Sequence, residues 1–125
     1  MRYYTLVGSK DFKINANNSE KAFRAIQGLI DQAPPPQWMD RLQVIRQAKS
    51  LEELLIAAGW RVFFDADRNV VLIDFPTPES WYLPFEILAP FVEPGGSIIC
   101  NEYYYEGECE STWEFDGKTV KYHCR

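Results

Sequence analysis

From residue 97 onward polar and apolar side chains alternate, and two glycine-containing pairs, Glu106-Gly107 and Asp116-Gly117, interrupt the alternation. Alternation sends successive side chains to opposite faces of a strand. An Asp-Gly pair between two such runs is a hairpin signal, because both central residues of a type I′ turn take positive φ. The pattern predicts antiparallel strands over residues 97–105, 109–115 and 118–124. With each pair as a two-residue turn, Tyr104 faces Cys109, Cys100 faces Trp113, Trp113 faces Val120, Ser111 faces Tyr122 and Cys109 faces Cys124. One face then carries Ile98, Cys100, Tyr104, Cys109, Trp113, Phe115, Val120, Tyr122 and Cys124. The other carries Asn101, Tyr103, Tyr105, Glu108, Glu110, Thr112, Glu114, Thr119, Lys121 and His123. A half-buried antiparallel sheet needs this division, and a slip of one residue would invert it. Glu102 is the exception, a carboxylate on the apolar side.

Upstream, Arg2 to Val7 is β-rich and Phe12-Lys13-Ile14 reads as a second short extended piece. Asn17, Asn18 and Ser19 are N-cap types, and after them Ala22, Phe23, Ile26, Leu29 and Ile30 recur at helical spacing to about Asp31. Pro34-Pro35-Pro36 stops that helix and forms an extended corner inside the domain, in preference to a proline-recognition peptide. Trp38, Leu42 and Ile45 predict a second helix over residues 37–48. Ser50-Leu51-Glu52-Glu53 is a capping box opening a third, with Gly59 at its end. Residues 60–65 and 70–75 form a hairpin closed by Pro76 and Pro78. Trp81, Phe85, Leu88 and Val92 then predict a last helix over residues 79–91, kinked or cut short by Pro84 and Pro90. The order β-α-α-α-β-β-α-β-β-β predicts one α+β domain: a two-layer sandwich, loosely ferredoxin-like, with helices on one face of a mostly antiparallel sheet and a C-terminal three-stranded meander.

Composition and charge narrow the function classes. A chain of 125 residues, 46% hydrophobic with four tryptophans, is a folded domain. It shows no apolar run near the ~20 residues that span a bilayer and no signal-peptide core after Met1-Arg2-Tyr3-Tyr4, which reads as soluble and cytoplasmic. Residues 1–73 hold ten basic and eight acidic side chains and residues 74–125 three and ten, so the formal −5 is net +2 followed by net −7. Glu106, Glu108, Glu110 and Glu114 crowd the second tail strand and the turn before it, which sets the sheet against direct nucleic-acid binding. Three cysteines do not complete a disulfide framework. An oxidising compartment would join Cys109 to Cys124, adding about 3 kcal/mol for a short loop. In the cytosol the two read as small core thiols.

From Ser50 onward the chain resembles a set of small uncharacterised bacterial α+β, ferredoxin-like proteins. The resemblance lies in Ala57-Ala58-Gly59-Trp60, in Asp65, Asp67 and Asn69, in residues 88–98, and in Trp113, Phe115 and Gly117. Such proteins are similar to ones of mobile elements and toxin–immunity systems. The likeness implies architecture and assigns no functional residue.

Each catalytic or metal pattern fails at a definable point. Asp65-x-Asp67-x-Asn69 starts like a calcium loop, but Val70 and Pro76 stand where an EF-hand needs Gly and a bidentate Glu. His123, Cys124, Cys109 and Cys100 are four soft ligands, yet the predicted register turns His123 away from the cysteines. The same placement denies a thiol nucleophile its base. No Gly-x-Ser-x-Gly elbow or phosphate-cradling glycine loop is present. Glu108 and Glu110 share a strand face ~7 Å apart, a glycosidase-like separation that an exposed acidic strand also explains. The expectation is a non-catalytic cytosolic interaction protein, of inhibitor or immunity type. It would dock a basic protein partner through Tyr103, Tyr105, Glu108, Glu110 and Glu114 without cofactor or metal. The alternatives are a small-molecule or metal-binding domain and, after that, a hydrolase using the paired glutamates.

Overall fold

The aromatic and β-branched opening extends into β1, Tyr3–Lys10, in a computed structural model that describes residues 3–74, 85–104 and 106–124. β1 is an edge strand of a four-stranded antiparallel sheet of order β1-β4-β5-β6, with β4 Ser97–Tyr104, β5 Gly107–Phe115 and β6 Val120–Cys124. A bulge between Leu6 and Gly8 shifts the β1–β4 register, and Val7 is exposed there. Ile14 then bridges both Val70 and Val92, so the short extended piece ties together parts of the chain remote in sequence.

α1, Ala16–Gln32, buries Ala22, Phe23, Ile26 and Ile30, the stripe expected from their spacing. Its cap is Asn15, two residues before the Asn17–Ser19 group that the sequence suggested: the Asn15 side chain accepts from the Asn17 N–H at 2.9 Å. The predicted second helix is divided into a 3-10 segment, Pro36–Arg41, and α2, Leu42–Arg46. Pro36 starts the tighter turn, and Arg41 at φ −115°, ψ 7° breaks the α-helical path. α3, Leu51–Ala57, opens on Ser50 as N-cap, whose hydroxyl accepts from the Glu53 N–H at 3.1 Å, the first of the two bonds of the expected capping box. Gly59, at φ +101°, turns the chain into the strand that begins at Arg61 through the left-handed region that favours glycine.

β2 (Arg61–Phe64) and β3 (Val70–Asp74) form a separate two-stranded sheet. The connecting turn is organised by Asp65, whose Oδ1 accepts from the Asp67 and Asn69 N–H groups at 2.9 and 3.0 Å. The Asn69 side-chain amide donates to Asp65 Oδ2 at 3.0 Å, and it, more than those backbone bonds, holds the Asp65 carboxyl below its ordinary value. Residues 75–84, with Pro76, Pro78, Trp81 and the first half of the predicted last helix, lie outside the described residues. α4, Phe85–Leu88, passes into a 3-10 turn, Ala89–Phe91, at Pro90. The α+β class, with helices and a mainly antiparallel sheet, is as expected, and the layout is consistent with the loosely ferredoxin-like arrangement.

Both tail hairpins differ in register from the expectation by two residues. Tyr104 pairs with Gly107 and Cys100 with Ser111; Phe115 pairs with Val120, Trp113 with Tyr122 and Ser111 with Cys124. In the second hairpin the cause is Asp116, whose side chain accepts from the Lys118 N–H at 2.9 Å, the Thr119 N–H at 2.7 Å and the Thr119 hydroxyl at 2.9 Å. An Asx-type turn over Asp116–Thr119 thus replaces the two-residue type I′ turn. A shift of two keeps every side chain on its face. Ile98, Cys100, Cys109 and Phe115 are buried, whereas Glu108, Glu110 and Glu114 are exposed.

Phe85 joins the layers. Its ring meets Trp60, Trp113 and Phe115 edge to face, at centroid separations of 6.1, 5.1 and 6.1 Å. Phe85→Ala should cost about 3–5 kcal/mol, read as a lower urea midpoint at unchanged m-value. Gly96 permits another close approach, since a Cβ there would lie 2.8 Å from the Asp11 carbonyl oxygen. The Asp116 carboxyl is held down at about 2 by the Thr119 and Lys118 backbone N–H groups and the Thr119 hydroxyl. A carboxyl lowered in the folded state stabilises above its unfolded value of about 4, and the contribution is lost as pH falls through the folded one. The wild-type advantage over Asp116→Asn should therefore be full above about pH 5 and shrink toward pH 2, measured as urea midpoints across that range.

Candidate functional site

The tail sheet offers two candidate sites, one on each face. On the outer face β5 presents Glu108, Glu110 and Glu114, all exposed. β4 sets Tyr103 opposite Glu108, Asn101 opposite Glu110 and Ser97 opposite Glu114. β6 sets Lys121 opposite Glu114 and His123 opposite Thr112, and His123 Nε2 lies 3.5 Å from Glu114 Oε2. Among the described residues Lys121 and His123 flank Glu114, while Glu108 and Glu110 face Tyr103 and Asn101 across the β4–β5 ladder. Of the expected docking residues, Tyr103 is half-buried and Tyr105 lies outside the described residues. Glu108 and Glu110 stand in solvent on an open face.

His123 projects from this outer face, opposite the cysteines, so His123, Cys124, Cys109 and Cys100 do not converge. The Asp65–Asn69 turn spends its carboxylate on its own backbone. Asn69 is buried, and its Oδ1 accepts from the Ala16 N–H at 2.9 Å at the start of α1. Cys100 is a free buried thiol pushed up to about 12 by burial, with the nearby Glu102 and Asp74 charges adding to the effect. It is therefore protonated at neutral pH, the wrong state for a nucleophile.

The inner face carries the less expected arrangement. Glu102 is 1% exposed, directly opposite Cys109. The Tyr122 hydroxyl on β6 donates to Glu102 Oε2. Cys109 and Cys124 are joined in a disulfide with Cα atoms 5.8 Å apart, which replaces the reading of two core thiols. The bond runs diagonally, because the two-residue shift sets Cys124 opposite Ser111 rather than Cys109. Cys109 is buried while Cys124, on the edge strand, is exposed. Cys109 Sγ lies 3.9 Å from Glu102 Oε2, a contact without a proton while the sulfur is bridged. Glu102 and Tyr122 were not among the expected site residues. The signal for the first was its place as the sole acid on an apolar face, and for the second its shared face with Cys124.

Among the described residues no helix is long and apolar enough to cross a membrane. No protein-family model, curated protein or solved structure matches the chain.

The disulfide closes a loop of sequence separation 15. Reduction with a phosphine should lower stability by about 3 kcal/mol in urea unfolding, and a Cys100→Ser chain should lose the same amount.

Proposed function

We propose that this chain is a non-catalytic interaction protein, of inhibitor or immunity type. It docks a basic protein partner through the outer face of the tail sheet. The observation that carries the reading is the row of exposed carboxylates Glu108, Glu110 and Glu114 on one strand face, with Tyr103 alongside. A row of one sign steers an oppositely charged partner and repels phosphate backbones. The half-buried Tyr103 ring supplies rigid contact area at low entropic cost. Tyr105 belongs to the proposed surface on sequence grounds.

The test is capture by the immobilised full chain from host lysate, followed by binding measurements on the purified pair. A Glu108→Gln/Glu110→Gln/Glu114→Gln chain should bind the captured basic protein at least about tenfold more weakly, chiefly through a slower on-rate, and added salt should reduce the difference. Equal affinity of the triple variant, or capture of nucleic acid instead, would sink the assignment.

A further inference from the structure

We propose that the inner face holds a zinc site: once the Cys109–Cys124 bond is reduced, Glu102, Cys109 and Cys124 bind one zinc ion. A carboxylate oxygen of Glu102 and the two sulfurs all lie within 4.8 Å of one another. Each comes from a different strand, Glu102 from β4, Cys109 from β5 and Cys124 from β6. Ladder hydrogen bonds fix the relative positions of those strands, so the ligand backbones are placed before any ion arrives.

Two Zn–S bonds of ~2.3 Å at a tetrahedral angle put the sulfurs ~3.8 Å apart. Side-chain rotation about Cα atoms 5.8 Å apart reaches that separation without moving the strands. The Glu102 oxygen, 3.9 Å from Cys109 Sγ, needs a contraction of a few tenths of an ångström. Tyr122, donating to Oε2, orients the carboxylate as outer hydrogen bonds orient metal-bound ligands. Two thiolates with one carboxylate select a borderline-soft ion over magnesium or calcium. Exposed Cys124 opens the approach, and three protein ligands leave the fourth position for water.

The chemistry balances. A trialkylphosphine attacks one sulfur, the S–S bond breaks, and water supplies the oxygen of the phosphine oxide and the protons of two thiols. Zinc then replaces those two protons.

The experiment uses the full chain, reduced with a phosphine and desalted without oxygen, then titrated with zinc chloride by calorimetry and with cobalt(II) by absorption. The reduced chain should take one zinc per molecule, and the untreated disulfide form should bind at least about 100-fold more weakly. Cys109→Ser and Cys124→Ser should remove the thiolate-to-cobalt absorption. Glu102→Gln should weaken binding about 10–100-fold. Cys100→Ser and His123→Gln should bind as wild type. Zinc uptake absent from the reduced chain, equal in both redox forms, or unchanged in Glu102→Gln would overturn the proposal. Should reduction melt the fold, recovery of the near-ultraviolet circular dichroism on adding zinc supports the site, and failure to recover counts against it.

Discussion

The pleat of β4 is the constraint on which the rest of the molecule depends. Its side chains alternate in burial from Ser97 to Tyr103, so Ile98, Cys100 and Glu102 point into the domain while Ile99, Asn101 and Tyr103 face the other way. β1 and β5 pair on either side of it, and β6 follows β5. β5 carries the same division, while β6 is exposed on both faces save for half-buried Val120. Phe85, at the start of α4, meets the inner face through Trp113 and Phe115. A strand with period 2 allows no intermediate placement. A polar residue with inward parity must therefore be accommodated where it stands, and Glu102 is accommodated by Tyr122.

The order of elements was legible from periodicity because each long segment carried one period and a marked end. Ser50 with Glu53, Gly59 and the proline triplet are such marks, and each acts as its chemistry requires. What was misread depended on competition between local options. Asp116-Gly117 has the composition of a two-residue turn, but the Asp116 carboxylate finds three donors in a longer one. Residues 37–48 have helical spacing, yet a proline start favours the tighter 3-10 geometry first. The diagonal cysteine bridge follows from that turn, so a register taken from the wrong turn paired Cys109 and Cys124 by the wrong route.

The site was less legible than the fold. Outward acids on alternate positions can be read from the chain, since parity alone gives their face. The grouping of Glu102, Tyr122, Cys109 and Cys124 requires three strands in a particular register. The one-dimensional trace of that grouping was a carboxylate breaking an otherwise apolar alternation. A residue that violates its local pattern, as Glu102 does, marks a place where burial alone does not explain the choice of side chain. The two faces thus separate two kinds of chemistry, diffuse charge on one and convergent ligands on the other.

Asn69 links elements 53 positions apart, the β2–β3 turn and the first turn of α1. One of the orphan amides at that helix start finds its acceptor only when the hairpin has arrived. A nascent chain ending after residue 32 would lack this partner, and its first helix would fray from the front. The first turn of α1 thus draws on a residue made much later in synthesis, the kind of non-local contact that raises contact order.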